Sequence, residues 1–224
     1  MHQRKSKKIL LYFFLLIILG TINNNFLNKA DILKLKNIKV LGLNENSNKK
    51  IENDLIFLKF QNLIFLKSSQ IKKIIDTNTS VETYSVFKEF PSTIVVKIEE
   101  TKILANLYKN GTNYFFGSNG KLIKSEIKKN DKPSLFGNFK NEDFLKFKKI
   151  IDKSKLEYTE IKKIYFFNSK RWDIELRNGL LMKLPEKKKL ENLNLSTGFI
   201  SNSDFRNLKI IDTRVNNQVI LNGE

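Results

Sequence analysis

The sequence predicts an α+β protein made of a single N-terminal membrane helix, a small β-α-α-β-β domain, and a β-rich domain of antiparallel strands with flanking helices. Three observations carry that prediction. One apolar run, residues 9–19, stands directly behind Arg4, Lys5, Lys7 and Lys8, and no second run like it follows. Two segments with apolar residues at helical spacing then precede two that alternate. From residue 105 onward, short alternating runs recur between turn residues such as Asn119-Gly120 and Asn178-Gly179.

The first element is the run Ile9, Leu10, Leu11, Phe13, Phe14, Leu15, Leu16, Ile17, Ile18 and Leu19. Its basic flank holds the N-terminus in the cytoplasm, so the remainder is expected to be exported. Counted to Ile22 the segment has 14 residues, about 21 Å of helix against a hydrocarbon core of about 30 Å. That length resembles a signal-peptide core. Cleavage, however, needs small residues at a small-x-small site, and Ile18 and Leu19 stand two positions before Gly20 and Thr21. Extended through Asn23, Asn24 and Asn25 to Phe26 and Leu27 it reaches 19 residues, with Lys7 and Lys8 able to snorkel. This favours an uncleaved anchor over 9–27 behind a tail over 1–8, with a cleaved signal as the alternative.

A linker over 28–35 leads to a first folded domain, 36–104. Residues 36–41 alternate and stop at Gly42, a short strand and a turn. Asn46 and Ser47 are candidate caps for a helix carrying Ile51, Leu55 and Leu58 on one face. A second helix starts near Ser68 or Ser69 and uses Ile71, Ile74 and Ile75. Strands over 81–88 and 92–99 follow, joined through Phe90-Pro91. In the second, Ile94, Val96 and Ile98 point one way and Lys97 and Glu99 the other, as in a half-buried antiparallel strand. A small sheet with two helices on one face satisfies this order.

The β domain, 105–224, opens with short strands at 107–109, 114–116 and 121–123, then a connector over 133–137. Asn141 is the expected cap of a helix with Glu142 and Asp143 in its first turn and Lys146, Lys148 and Lys149 later, matching the macrodipole. Phe144, Phe147 and Ile151 should pack on a sheet. Strands recur at 161–167, 171–176, 180–184, 210–215 and 218–221, and Pro185-Glu186 opens a lysine-rich helix to about Leu195.

One hairpin is legible in register. A three-residue loop, Arg177-Asn178-Gly179, pairs Leu176 with Leu180, Ile174 with Met182 and Trp172 with Leu184. Gly179 then supplies the left-handed position, and Trp172 becomes a core anchor. At the other end, Asn216-Asn217 tolerate the positive φ of a tight turn before Gln218, Val219, Ile220 and Leu221. No later segment is available to cover that last strand, so it is a candidate sheet edge and docking site. The alternative is that an earlier strand, such as 180–184, pairs on its outer side.

Composition narrows the function. The net charge of +18 comes almost wholly from lysine, with five arginines among 41 basic residues. With Lys, Asn, Ile and Phe all abundant, this reads as an AT-rich coding bias rather than phosphate recognition, which tends to use Arg forks. Nucleic-acid binding is not expected. There is no cysteine, and the one histidine, His2, lies in the tail. Disulfides, thiolate metal sites and imidazole-based catalysis are therefore excluded from the exported part. No phosphate-binding glycine pattern occurs. The sequence yields no catalytic, cofactor-binding or metal residues.

This layout resembles the bacterial cell-division family FtsQ (DivIB), with its POTRA-type domain. Ile38-Lys39-Val40-Leu41-Gly42 is similar to that family's opening strand and glycine, and residues 86–94 (Val-Phe-Lys-Glu-Phe-Pro-Ser-Thr-Ile) to its basic, aromatic, proline junction. Residues 100–105 sit where the family has Glu-Arg-x-Pro-x-Ala, with Thr101 and Ile103 replacing Arg and Pro. Residues 171–176 with Asn178-Gly179 and Leu184-Pro185 resemble its tryptophan hairpin, and Ile211-Asp212-Thr213-Arg214 with Val219-Ile220-Leu221 fits its last strands. The resemblance implies a non-enzymatic scaffold of the divisome. It would be a single-pass protein of the cell inner membrane, N-terminus cytoplasmic, concentrated at the division septum. Its implied partners are the small bitopic proteins FtsB and FtsL and, through them, the septal peptidoglycan synthase, with the last strand accepting a strand from the FtsB-type partner. Two other classes stay open on the residues: an exported wall-polymer or polyanion-binding module, and a carboxylate-dependent periplasmic hydrolase.

Overall fold

A computed structural model describes residues 4–22, 33–125, 131–202, 208–215 and 217–223. Residues 23–27 of the expected anchor, 28–32 of the expected linker and Asn216 of the expected turn lie outside the described residues. The chain divides into two compact units, residues 1–78 with 83–99, and residues 79–82 with 100–224.

Helix α1 is Arg4–Ile22. Its four cations fall in the first five residues, which leaves an uncharged stretch of 14 residues, about 21 Å of helix. Among the described residues no helix is long and apolar enough to cross a membrane. The expected membrane helix is corrected accordingly: what the structure contains is a shorter apolar helix. All ten of its large apolar candidates, Ile9 to Leu11 and Phe13 to Leu19, are 44–69% exposed.

In the smaller unit, β1 (Asn37–Leu41) is followed by α2 (Glu45–Asp54), a 3-10 turn Ile56–Leu58, α3 (Ser68–Ile75), β2 (Val81–Glu89) and β3 (Thr93–Glu100). The cap of α2 is Asn44, whose side chain accepts from the Ser47 N–H at 2.9 Å. The Asn46 and Ser47 expected as caps are therefore inside the helix. Leu55 and Leu58, expected on it, lie just past its end but are fully buried. Strand order is β1-β3-β2, and β3 runs parallel to β1 from Asn37 opposite Thr93 to Leu41 opposite Lys97. The half-buried reading of β3 is corrected, and its pairing with β1 is parallel. As the central strand it buries Val95 on one side as well as Ile94, Val96 and Ile98 on the other. Gly42 ends β1 at φ +117, and a Cβ there would sit 1.8 Å from the Ile98 carbonyl oxygen, so only glycine fits.

The larger unit contains β4 (Ile103–Lys109), β5 (Thr112–Gly117), β6 (Leu122–Lys124), β7 (Ser134–Phe136), α4 (Asn141–Lys153), β8 (Ile161–Phe166), β9 (Trp172–Leu176), β10 (Leu181–Lys183), α5 (Lys189–Ser201), β11 (Leu208–Asp212) and β12 (Ile220–Gly223). They form a nine-stranded sheet in the order β12-β11-β10-β9-β8-β7-β4-β5-β6. The expectation of antiparallel strands is met in five of the eight pairings of this sheet among the described residues. β7 is parallel to both β4 and β8, and β10 to β11. Helices α4 and α5 cause two of these pairings, because a crossover helix carries the chain back to the end of the sheet where the first strand began.

Other local expectations shift with this architecture. Residues 134–136, expected as connector, are a strand paired on both sides. Asn141 is the first helical residue of α4 rather than its cap, and its side-chain amide donates to the Gly120 carbonyl at 2.8 Å. Helix α5 starts at Lys189 instead of Pro185, because Lys188 has left-handed backbone, φ +55. The core gathers between sheet and helices. Trp172 is 3% exposed, stacked on Phe147 with ring centroids 4.8 Å apart, and packed on Phe166 at 4.6 Å and Phe139 at 5.5 Å. The tryptophan hairpin has the three-residue loop, with Ile174 opposite Met182, Gly179 N–H donating to Leu176 at 3.0 Å, and Gly179 at φ +91.

Candidate docking edge

The last strand is placed by short-range polar contacts at the end of β11. Thr213 donates both its N–H and its hydroxyl to the Lys183 carbonyl, each at 3.0 Å, which ties the end of β11 to β10. Asp212 and Arg214 stand two apart in extended chain and so share a side. The Arg214 guanidinium forks onto the Asp212 carboxylate, Nε to Oδ1 at 2.8 Å and Nη2 to Oδ2 at 2.5 Å, while the Arg214 N–H donates to Oδ1 at 3.1 Å. Hydrogen bonds from Arg214 hold the buried Asp212 carboxyl below its usual range, against the opposing effect of burial. The chain then turns, with Gln218 donating to Val215 at 3.3 Å and Asn217 at φ +61.

Strand β12 returns antiparallel to β11. Asp212 faces Ile220, Ile211 faces Leu221 and Ile210 faces Asn222, with an irregularity between Leu208 and Ile210. Leu221 thereby continues the inward row of Leu135, Ile164, Ile174, Met182 and Ile211, and packs half-buried against the core. Ile220 continues the other row, Tyr165, Asp173, Lys183 and Asp212, and is exposed. Of the four residues proposed for docking, only Ile220 and Leu221 lie in the strand. Gln218 is exposed in the turn, and Val219 precedes the strand and packs against the core. Asn222 and Gly223 complete it.

Among the described residues no strand pairs with the outer side of β12. Strand 181–183, raised as a possible cover, is instead enclosed between β9 and β11. Among the described residues the two sheets leave four edges unpaired. β1 carries Lys39, β2 carries Glu82, Lys88 and Glu89, and β6 carries Lys124. β12 alone, Ile-Leu-Asn-Gly, carries no charge. Edges are commonly guarded by charge against strand addition, and this one is not.

The polar row beside Ile220 escaped the sequence reading. Asp173 is buried, and burial pushes its carboxyl above the usual range, partly offset by Arg171, the Leu184 backbone and Arg214. Its Oδ1 faces Arg171 Nε at 3.8 Å with no hydrogen bond formed by either atom. Two signals pointed there: the Asp-x-Arg spacing at 212–214, and the tryptophan-hairpin register, which sets Asp173 opposite Lys183. Asp173 and Asp212 flank Lys183 from neighbouring strands and each faces a cation, an arrangement that orders the sheet end. A cavity of about 810 Å³ elsewhere in this unit has Asp143 and Glu186 in its lining and neither of these acids. Among the described residues no three His, Cys, Asp or Glu side chains are grouped to hold a metal ion. The edge itself can offer main-chain N–H and C=O groups in register, with alternate side chains on either side.

Two family models cover most of the chain: the POTRA domain of FtsQ type matches residues 33–101, and the C-terminal domain of cell division protein FtsQ/DivIB matches residues 105–214. Cell division protein DivIB of Bacillus subtilis (strain 168) is 29% identical over an alignment of 149 residues, and the match covers 62% of this chain. The match spans about half, 54%, of that relative's length. The solved major extracytoplasmic domain of the trans isomer of DivIB from Geobacillus stearothermophilus aligns at 15% identity over 47% of this chain and 96% of its own, with a TM-score of 0.36.

Proposed function

We propose that this chain, which belongs to the FtsQ/DivIB family of cell-division proteins, is a membrane-attached scaffold that recruits and couples septal proteins by docking rather than by catalysis. The observation that carries this reading is the uncharged edge of β12, unpaired among the described residues. A strand from a partner of the FtsB type would add there, its main chain supplying register and Ile220 and Asn222 offering side-chain contacts on one face. FtsL, and through it the septal peptidoglycan synthase, would be held in the same assembly.

Attachment to the inner membrane would come from α1. Its exposed apolar face has no covering element among the described residues, and Lys7 and Lys8 can snorkel to the cytoplasmic surface. An anchored scaffold and an anchored partner diffuse in one plane, which raises their effective concentration without any new contact. A fluorescent fusion tests the role directly: a mid-cell band is expected, and a diffuse envelope signal opposes it.

A further inference from the structure

The geometry points to a second, lipid-facing surface: we propose that segment 55–67 of the smaller unit lies on the bilayer, with Ile56, Phe57, Phe60, Ile64 and Phe65 entering the interfacial layer. This rests on the membrane attachment proposed for α1. The segment sorts its apolar residues by type. Leu55, Leu58, Leu63 and Leu66 are buried, while the five isoleucines and phenylalanines between them are 51–73% exposed. A stretch that contributed only to the core would not leave its largest side chains in water.

The backbone holds that display in place. Phe60, the most exposed of the five, has left-handed backbone at φ +69, a conformation bulky residues seldom adopt. Lys88 Nζ donates to the carbonyls of Ile64 and Leu66, both at 3.0 Å, and Asn62 Oδ1 accepts from the Ile64 N–H at 2.9 Å. The same segment pairs with the first described residues after α1. Leu63 N–H donates to Leu33 at 2.8 Å, Leu35 N–H to Gln61 at 2.9 Å, and Phe60 N–H to Leu35 at 2.8 Å. Ten residues, 23–32, separate α1 from that point, a tether of about 40 Å at full extension. An anchored chain therefore keeps this patch within reach of the bilayer at all times.

Charge selects the occupant. Residues 55–75 contain Lys59, Lys67, Lys72 and Lys73 and no acid. Apolar side chains among lysines, with the nearest acids in sequence at Asp54 and Asp76 beyond the stretch, fit an anionic lipid surface.

The chain has no cysteine, so single labels are clean. Phe60→Cys and Phe65→Cys, with Lys50→Cys on α2 as reference, are labelled with nitrobenzoxadiazole. Each full-length chain is reconstituted in vesicles of phosphatidylcholine and phosphatidylglycerol. The labels at 60 and 65 should shift to shorter wavelength and be quenched by shallow nitroxide lipids. The label at 50 should not, and Lys59→Glu with Lys67→Glu should reduce the quenching at 60. If the chain floats with vesicles but all three labels behave alike, the patch is not a lipid surface while the anchor stands. A chain that does not float at all overturns the attachment and this inference together. Protection of the label at 60 only when a partner protein is added would assign the patch to protein and overturn the lipid reading.

Discussion

The two units face their surroundings with different parts of the polypeptide. In the smaller, both sheet edges carry charged residues, while large apolar side chains are displayed together between α2 and α3. In the larger, exposed apolar residues such as Tyr108, Phe136, Leu195 and Ile220 are scattered, but one edge strand offers uncharged main chain. A fluid surface has no register to match, so side chains suffice for it. A partner strand must be held in one register, and main-chain groups on an ordered edge do that.

The largest effects should come from cores, and they should be local to each unit. Trp172→Ala removes the aromatic that packs on Phe139, Phe147 and Phe166 and should cost about 3–5 kcal/mol, read by circular dichroism during denaturation. Ile94→Ala in the central strand of the smaller unit should cost about 2–5 kcal/mol. If the units are energetically separate, Trp172 fluorescence, expected at short wavelength in wild type, keeps its midpoint in that variant. A matching loss would show that the contrast between units stops at the surface.

Next in size is the ion pair at the end of β11, beside the proposed docking edge. Arg214→Ala leaves the buried Asp212 carboxylate without its fork and should cost about 1–3 kcal/mol at neutral pH. The two buried aspartates should then respond to pH with opposite sign. Asp212 has a lowered folded pKa, so its contribution is present above the unfolded value of about 3.9 and is lost as pH falls through the folded value. Asp173 has a raised folded pKa, so its contribution is present at low pH and is lost as pH rises through the folded value. At pH 7, Asp212→Asn should destabilise while Asp173→Asn is neutral or stabilising, and acid titration should narrow the gap. Smallest of all, Phe60→Ser and Ile220→Lys should each change stability by less than about 0.5 kcal/mol, since both side chains are exposed.

Much of this was legible in advance, for stated reasons. Strand β9 alternates cleanly in sequence, and the tryptophan hairpin announces its register through Asn178-Gly179. What stayed hidden depends on pairing or on local backbone. The three residues of β7 are too few to show alternation and are a strand only because β4 and β8 flank them. The start of α5 is set by the left-handed Lys188, which no spacing reveals. The apolar patch is invisible as a pattern because residues facing in and residues facing out are both apolar. The proposed docking edge was read from chain order, while the shift of its strand by two residues, to Ile220–Gly223, follows from pairing with β11.

The most direct test of edge docking is recovery of the FtsB-type partner with the full-length chain from membranes. Ile220→Lys and Asn222→Lys place on β12 the kind of charge that guards the other three edges, and leave the folded units intact. Partner recovery should fall about tenfold or more, equivalent to at least about 1.4 kcal/mol. Recovery at the wild-type level with both lysines in place would contradict the claim that β12 is where the partner strand adds.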